Sequence, residues 1–385
     1  MSTYPHNSLG LVKPQSIIIK KPLELSCGLV IAEHKLVFES YGILNETATN
    51  AVLVCHALSG NHHAAGWYRG EKKPGWWDQY IGPGKPIDTA KFFVICPSNI
   101  GTCYGSTGPH DINPKTRKPW GPDFPSVTIE DWVDSQNLLM EYLSIDCWAA
   151  VVGGSLGAMQ AMRWSVRHPE KLRNTIIIAS AMKLSAQNIA FNEMARRAIK
   201  SDPDFRLGNY ADYDTKPIQG LALARMIGHV TYLSDQSMGK RFGRELRSNH
   251  ILGDQLSPPE FQVESYLRYQ GEKFAKYFDA NSYILVTKIL DYFDFSGNSN
   301  NNPVATFKSA KCNFLVVSFT SDWRFPIKRS REIVDALIAA GKNVSYAEIE
   351  SDQGHDAFLL PNKRYEGIFR GYLALVANSI DLHRP

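Results

Sequence analysis

The chain has 385 residues, of which 44% are hydrophobic and 21% are charged, a composition typical of a globular protein large enough for two domains. Its formal net charge of +4 is spread along the chain without a block of like charges, which argues against a nucleic acid or a membrane as its partner. The N-terminal segment lacks the apolar stretch of a signal peptide, no later segment is long enough to span a membrane, and the six cysteines show no CxxC spacing. We therefore expect a cytoplasmic protein with free thiols.

A sheet is predicted along the first half of the chain. Six short segments carry the β-branched or largely apolar residues that are typical of strands: residues 16–20, 35–39, 51–55, 92–96, 148–152 and 175–179. The first two segments indicate an antiparallel entry, and the later ones are typical of parallel strands covered on both faces. A helix is expected over residues 128–143, where Thr128 and Asp131 form a capping pattern ahead of apolar residues at helical spacing.

The pattern changes after residue 184. Helix formers dominate residues 185–296, and strand patterns disappear there. Alternating elements then return, with strands at residues 314–319 and 344–349 and helices at residues 327–340 and 363–375. We therefore predict an α/β fold with one mostly parallel, doubly wound sheet in residues 1–184 and 297–385. A helical cap at residues 185–296 is inserted after the sixth strand.

Residues 153–157, Gly-Gly-Ser-Leu-Gly, connect the strand at residues 148–152 directly to a helix over residues 158–167. This segment fits the pattern G-x-S-x-G, in which the flanking glycines leave room for a strained turn that exposes the serine hydroxyl at the sheet edge. Ser155 is therefore the candidate nucleophile. The alternative is an ordinary turn made of glycine and serine, and the strand before it and the helix after it favour the first interpretation.

A serine hydroxyl needs a base to take its proton, and that base needs an acid to orient it. In α/β-hydrolase folds these partners follow the serine in the order acid then histidine, each after a later strand. Asp322 follows the strand at residues 314–319, and His355 lies in the loop after residues 344–349. Taken singly, the aspartate is typical of a helix N-cap and the histidine of a solvated loop. Their order and placement together favour a Ser155–His355–Asp322 triad in an α/β-hydrolase fold.

Acyl chemistry at a serine also needs backbone N–H groups that stabilise the oxyanion. One donor is expected at Leu156, directly after the nucleophile, and the other in the loop after the strand at residues 51–55. Leu58 is our candidate in that loop.

Three histidines near this loop, His56, His62 and His63, raise the alternative of a metal site. No carboxylate or cysteine nearby in the sequence completes a ligand set, and serine chemistry requires no metal. We therefore expect neither a metal nor a cofactor.

Five motifs together resemble one known family. They are His-Ala-Leu-Ser-Gly at residues 56–60, Gly-Ser-Thr-Gly-Pro at residues 105–109, Gly-Gly-Ser-Leu-Gly-Ala-Met-Gln at residues 153–160, Phe-Asn-Glu at residues 191–193 and Gly-His-Asp-Ala-Phe-Leu at residues 354–359. The chain resembles the homoserine O-acyltransferases of the methionine pathway, which are α/β-hydrolases with a helical cap. The likeness extends from the first strands to the last helix, and the combination is far more specific than the serine motif alone.

The resemblance implies a ping-pong reaction in which Ser155 takes an acyl group from acyl-coenzyme A, a co-substrate, and passes it to the hydroxyl of L-homoserine. It also implies that Arg225 and Asp356 hold the homoserine, which suits its carboxylate and its ammonium group. The alternatives are a surface salt bridge for the arginine and a loop cap for the aspartate. The resemblance further implies a homodimer that meets through the caps.

The acyl donor divides the family, because a succinyl group carries a terminal carboxylate that an acetyl group lacks. Burial of that carboxylate without a cation is costly. Arg324 lies where acetyl-transferring relatives tend to have an apolar residue, and the resemblance therefore implies succinyl-coenzyme A as the donor. The alternative donor is acetyl-coenzyme A, in which case Arg324 would face solvent at a helix start, where a cation is poorly placed. Two other classes of protein also stay open: a serine ester hydrolase and a binding module without catalysis.

Overall fold

A computed structural model describes residues 4–247 and 261–381 of the protein, and an eight-stranded sheet organises them. The strands of this sheet, in chain order, are β1 Gln15–Ile19, β2 His34–Tyr41, β3 Ala51–Cys55, β4 Phe93–Pro97, β5 Ala150–Gly154, β6 Asn174–Ile178, β7 Asn313–Phe319 and β8 Val344–Ile349. Their order across the sheet is β1-β2-β4-β3-β5-β6-β7-β8. The pairs β1–β2 and β2–β4 are antiparallel, and the other pairs are parallel. This order confirms the predicted fold class and its antiparallel entry.

Ten α-helices accompany the sheet in the described residues. They are α1 Ile129–Tyr142, α2 Leu156–Arg167, α3 Ala186–Lys200, α4 Ile218–Tyr232, α5 Asp235–Phe242, α6 Gln262–Tyr277, α7 Ala280–Tyr292, α8 Pro303–Phe307, α9 Ile327–Ala339 and α10 Lys363–Asp381. The predicted capping box at α1 is present, since the Thr128 side chain accepts from the Asp131 N–H and the Asp131 side chain accepts from the Thr128 N–H. Within residues 4–247 and 261–381, no helix has the length and apolar character that a membrane span requires.

The sheet is covered on both faces, as its apolar strands predict. Along β3, Leu53 and Cys55 belong to the cluster that contains buried residues of α1, α2 and α9, whereas Val52 and Val54 belong to the cluster that contains residues of α10. Every residue of β3 is buried. Alternate residues of a strand point to opposite faces, so an apolar run without alternation places the strand inside a layered α/β structure. All six cysteines are free thiols, as expected.

Helices α3 to α7 lie between β6 and β7 in the chain, and four of them, α3, α4, α6 and α7, share a separate hydrophobic cluster. Its buried members include Ile199 of α3, Leu221 of α4, Phe274 of α6 and Tyr283 of α7. In the described part of this segment no strand joins the eight-stranded sheet. The insertion point after the sixth strand of that sheet therefore agrees with the sequence, while the division into a core and a cap at residues 185 and 296 stays a prediction.

Several element ends differ from the predicted ones. Helix α2 begins at Leu156 and not at residue 158, because the chain turns at Ser155 itself and no residue is left for a linker. Helix α10 continues to Asp381 and not only to residue 375, since its buried stripe continues through Leu373, Val376 and Ile380.

A glycine allows α2 to approach the sheet, which gives a test of this packing. A Cβ added at Gly157 would lie 2.1 Å from the carbonyl oxygen of Cys55, whereas a Cβ at Gly371 of α10 would meet no atom within 4 Å. We expect Gly157→Ala to lower the free energy of unfolding by more than about 2 kcal/mol, because the helix must shift away from β3. Urea unfolding followed by circular dichroism measures this.

Gly371→Ala is the matched control. The same methyl group at an exposed position inside a helix should leave the free energy of unfolding unchanged or raise it by about 0.5 to 1 kcal/mol. Equal stabilities for the two variants would show that the contact between α2 and β3 is not tight.

Candidate active site

Ser155 occupies a strained turn between β5 and α2. Its backbone has φ 57° and ψ −122°, in the left-handed half of φ where residues other than glycine are uncommon. The Ser155 N–H donates to the Ile178 carbonyl at 2.9 Å, and the Ser155 carbonyl accepts from the Ser180 hydroxyl at 2.9 Å. A Cβ at Gly153 would lie 2.2 Å from the carbonyl carbon of Gly157, so a larger residue there would not fit. The structure therefore has the turn that the glycine pattern predicts.

The structure brings Ser155, His355 and Asp322 into one chain of hydrogen bonds. His355 Nε2 lies 2.9 Å from Ser155 Oγ, and His355 Nδ1 lies 2.7 Å from Asp322 Oδ2. Both His355 and Asp322 are buried. The second oxygen of Asp322 accepts from the Phe325 N–H at 2.8 Å, and the N-cap of α9 is Pro326, so the aspartate is not the helix cap of the alternative interpretation. This arrangement can take a proton from the serine and return it, as acyl transfer requires.

The sheet order explains how distant residues meet. β5, β6, β7 and β8 are neighbours and parallel, so their C-terminal ends lie along the same edge of the sheet. Ser155 follows β5, Asp322 follows β7, and His355 follows β8 in a short 3-10 helix at Gly354–Leu359. Aromatic rings enclose the imidazole, with ring centroids 5.2 Å away for Phe325 and 5.7 Å away for Phe358.

The two predicted oxyanion donors follow the neighbouring strands β5 and β3. Leu156 is the first residue of α2, and Leu58 lies in the loop after β3. In the part of the chain that the structure describes, neither N–H donates to a backbone carbonyl. The start of α2 also carries the positive end of the helix dipole, which favours a negative charge. Neither N–H is therefore committed to a backbone carbonyl in the described residues, as an oxyanion donor requires.

Arg324 is buried beside the same loop and does not face solvent. Its Nη1 donates to Thr231 Oγ1 at 2.8 Å and its Nη2 to Asn192 Oδ1 at 3.4 Å, and its guanidinium lies 5.5 Å from the ring of Tyr232. Among the described residues no carboxylate lies within ion-pair distance of Arg324. It lines one small cavity together with Leu58. The site thus contains a buried cation that forms no ion pair with any carboxylate of the described residues.

Asn192 and Thr231 are not among the site residues predicted from the sequence. Asn192 belongs to the Phe-Asn-Glu motif at residues 191–193, so the sequence marked this residue but assigned it no role. Thr231 carries no such signal, because only the packing of α4 brings it to Arg324. The guanidinium donates to two neutral acceptors, which hold it in place without neutralising its charge.

Arg225 and Asp356 also lie near the triad. Arg225 donates from Nη1 to Ser59 Oγ at 3.4 Å and lies 4.8 Å from the ring of Phe274. Burial raises the pKa of the Asp356 carboxyl above its usual value, while the charges of His355 and Arg225 act in the opposite direction. Within the described residues Arg225 has no ion pair with a carboxylate, so the surface salt bridge of the alternative is absent there.

The C-terminal end of α4 packs directly on the loop that carries His355. A Cβ at Gly354 would lie 2.5 Å from the backbone nitrogen of Ser234, and Trp323 Nε1 donates to the Leu233 carbonyl at 3.0 Å. Ser234 Oγ in turn donates to the Asp352 carbonyl. The helix that contributes Arg225 is therefore fixed to the loop of the histidine.

The three histidines of the metal alternative each have a protein partner. His56 Nδ1 lies 2.8 Å from the Ala57 carbonyl, and His62 Nδ1 lies 2.8 Å from Ser98 Oγ. His63 Nδ1 lies 3.1 Å from Glu39 Oε2, a carboxylate that is distant in sequence and that the fold brings near. Burial lowers the pKa of both His56 and His62 to about 4. In residues 4–247 and 261–381 no group of three or more His, Cys, Asp or Glu is arranged to hold a metal ion.

Comparison with known proteins agrees with this fold and site. The family model of the alpha/beta hydrolase fold matches residues 50–361. The homoserine O-succinyltransferase of Cellvibrio japonicus is 61% identical over 97% of this chain and 98% of its own length. The chain therefore belongs to the alpha/beta hydrolase fold family and, within it, to the family of the homoserine O-succinyltransferases, which confirms the resemblance found in the sequence.

Two solved structures are similar over nearly the whole chain. Homoserine O-acetyltransferase from Bacillus anthracis has a TM-score of 0.87 at 28% identity and covers 95% of this chain and 98% of its own. Esterase E22 has a TM-score of 0.85, also at 28% identity, and covers 94% of this chain and 100% of its own. Proteins named as transferases and proteins named as esterases thus share this architecture.

The contact between Asp322 and His355 gives a test of the triad. Asp322→Asn should lower kcat/KM for hydrolysis of the activated ester p-nitrophenyl acetate by about 10³- to 10⁴-fold, because an amide stabilises the wrong imidazole tautomer and cannot balance its positive charge. Asp212→Asn, at an exposed aspartate paired with Lys118, is the control and should change the rate less than about twofold. A folded Asp322→Asn protein with more than a tenth of the rate would contradict the triad.

Proposed function

We propose that this enzyme transfers a succinyl group from succinyl-coenzyme A to the side-chain hydroxyl of L-homoserine, which yields O-succinyl-L-homoserine and coenzyme A. The names of the similar proteins support this function. The observation that carries it is the buried Arg324, which lacks a carboxylate partner among the described residues and lines one cavity with the oxyanion candidate Leu58. Coenzyme A thioesters serve as co-substrates, and the reaction at Ser155 needs no resident cofactor.

In the first half of the proposed reaction the thioester acylates Ser155. The serine Oγ attacks the carbonyl carbon while His355 Nε2 takes its proton, and Asp322 stabilises the imidazolium that forms. The N–H groups of Leu58 and Leu156 receive the negative oxygen of the tetrahedral intermediate. The carbon–sulfur bond then breaks, coenzyme A leaves as a thiol with the proton from His355, and the acyl group stays on Ser155 as an ester.

In the second half homoserine replaces coenzyme A. Its hydroxyl gives a proton to His355 and attacks the ester, and a second oxyanion forms between the same two N–H groups. Ser155 leaves with the proton from His355. Asp356 suits the α-ammonium group and Arg225 the α-carboxylate of the substrate, because among the described residues neither side chain forms an ion pair with another.

Electrostatics favour succinyl over acetyl as the acyl group. A terminal carboxylate about 4 Å from the guanidinium of Arg324 would gain roughly 4 kcal/mol at an effective dielectric constant of about 20. An acetyl group offers no such partner and leaves a buried cation uncompensated. Homoserine O-acetyltransferase therefore stays the second candidate, supported by a more distant structural relative at 28% identity.

A serine ester hydrolase is the alternative from another class, and the likeness to esterase E22 favours it. The two reactions share the acyl-enzyme and differ in whether water or homoserine attacks it. A binding module without catalysis would not need the three-residue hydrogen-bond chain at Ser155. Product analysis separates the transferase from the hydrolase, because one yields acylated homoserine and the other the free acid.

We also propose that the enzyme is a homodimer that meets through α4. This helix exposes Leu223 and Val230, which lie seven residues apart and hence on the same side, and Tyr269 of the adjoining α6 is exposed as well. An apolar stripe on a helix of a soluble enzyme is typical of a protein interface.

The donor preference is the main test of the proposed function. Purified enzyme with homoserine and succinyl-coenzyme A should release free thiol and form a product with the mass of O-succinylhomoserine, at a kcat/KM at least about tenfold above that for acetyl-coenzyme A. In Arg324→Met the succinyl rate should fall by about 10²-fold, because the terminal carboxylate loses its cation, while the acetyl rate changes little or rises.

Arg329→Met provides the matched control, since this arginine lies on the surface of α9 in an ion pair with Glu332. It should leave the donor preference unchanged. Ser155→Ala should abolish thiol release with either donor. Thiol release without acylated homoserine would refute the transferase, and equal loss of both donors in Arg324→Met would remove this arginine from donor selection.

The proposed dimer is tested by the double variant Leu223→Glu/Val230→Glu. Sedimentation velocity should show the mass of two chains for the unmodified protein and of one chain for the variant, because buried glutamates on this stripe repel each other across a symmetric interface. Leu375→Glu, at an exposed position of α10, is the control and should stay dimeric. A dimer that survives the double substitution would contradict an interface through α4.

A further inference from the structure

A single glutamine connects the two backbone segments that carry the proposed oxyanion donors. Gln160 lies one turn into α2 and is fully buried. Its Nε2 donates to the His56 carbonyl at 3.1 Å and to the Leu156 carbonyl at 3.3 Å. The first carbonyl belongs to the loop of Leu58, and the second belongs to the other donor residue. One amide group is therefore hydrogen-bonded to both backbone segments that carry the proposed oxyanion donors.

The other end of Gln160 is held just as firmly. Its Oε1 accepts from Asn99 Nδ2 at 3.0 Å and from Gln136 Nε2 at 2.8 Å. Gln136 Nε2 also donates to Asn99 Oδ1 at 2.7 Å, and Trp164 Nε1 donates to Gln136 Oε1 at 2.7 Å. All of these side chains are buried. Both N–H groups and both lone pairs of the Gln160 amide thus take part in hydrogen bonds, so the orientation of the amide is fixed.

The same network reaches the loop of Leu58 at a second point. The Asn99 N–H donates to His56 Nε2 at 3.2 Å, so the proton of the imidazole lies on Nδ1, which donates to the Ala57 carbonyl at 2.8 Å. Burial lowers the pKa of His56 to about 4 and keeps this ring neutral at pH 7. The loop before Leu58 is therefore held at a backbone carbonyl and at a side chain by one set of buried amides.

We propose that Gln160 is a positioning residue that sets the separation between the N–H groups of Leu58 and Leu156. An oxyanion is stabilised only where its donors lie at about 2.7 to 3.1 Å from the oxygen, and a shift of about 1 Å is costly. Leu156 is fixed by the turn at Ser155, whereas Leu58 lies in a loop outside helices and strands. Gln160 ties this loop to the start of α2 and itself touches no reacting atom.

The inference rests on the proposed function, because both halves of that reaction pass through an oxyanion at the same place. This gives the proposal a kinetic signature. Loss of Gln160 should slow acylation and deacylation by the same factor, whereas damage to the homoserine site would slow deacylation alone. Loss of folded protein would lower the number of active sites and not the rate at each site.

The test variant is Gln160→Met, which keeps the length of the side chain and removes its hydrogen bonds. We expect kcat for succinyl transfer, normalised to the burst of coenzyme A in pre-steady-state kinetics, to fall by about 10- to 100-fold. KM for each substrate should stay within about threefold, since the ground-state contacts are intact. Single-turnover rates of acylation and of transfer to homoserine should fall together.

Trp164→Phe is the matched control, because it breaks the bond to Gln136 in the same network without a bond to either donor segment. It should destabilise the protein and leave kcat within about threefold. Should Gln160→Met fail to fold, Gln136→Met removes one support of Gln160, and we expect kcat to fall by about 3- to 10-fold at constant KM.

Three outcomes would overturn the inference. The first is an unchanged kcat per active site in Gln160→Met, or in Gln136→Met where only that variant folds. The second is a fall in kcat in Trp164→Phe as large as that in Gln160→Met. The third is a fall in rate that is confined to the transfer to homoserine. If the unmodified enzyme does not release coenzyme A in the absence of homoserine, at about one equivalent per active site, the acyl-enzyme of the proposed function is refuted, and the inference with it.

Discussion

The close approach of α2 to the sheet is the constraint on which the site depends. Only hydrogen fits at Gly157 against the Cys55 carbonyl, and only hydrogen fits at Gly153 against Gly157. This contact lets the chain reverse at Ser155 with a positive φ and enter the helix at the next residue. The hydroxyl then stands at the edge of the sheet while the first N–H groups of α2 stand beside it. The positions of the candidate nucleophile and of one candidate oxyanion donor are thus consequences of a single packing contact.

The buried charge of Arg324 is held by neutral groups. Arg324 is buried, yet its hydrogen bonds go to a hydroxyl and an amide, and the carboxyl of Asp356 has its pKa raised by burial while Arg225 acts against that effect. Desolvated charges of this kind cost stability unless a partner arrives. A charged substrate can therefore gain binding energy from Arg324 and Asp356, because the protein itself does not neutralise these two side chains.

The candidate triad could be predicted from the sequence because each of its residues follows an apolar strand in a fixed order. Ser155, Asp322 and His355 are local features of strand ends, and parallel strands bring such ends together. Thr231 and Glu39 could not be found in this way, since their partners come from other elements through tertiary packing. The end of α10 was missed for a similar reason, because a buried stripe at Val376 and Ile380 extends a helix beyond its strongest sequence pattern.

The contact between the end of α4 and the loop of His355 has a mechanical consequence. Gly354 lies against the backbone at Ser234, and Trp323 is bonded to the Leu233 carbonyl, so this border between inserted helices and sheet cannot act as a hinge without displacing the imidazole. A substrate that reaches the site from another side of the inserted helices would leave this contact intact. Any displacement of the end of α4 would therefore also displace the loop of His355, because the two segments are in direct backbone contact.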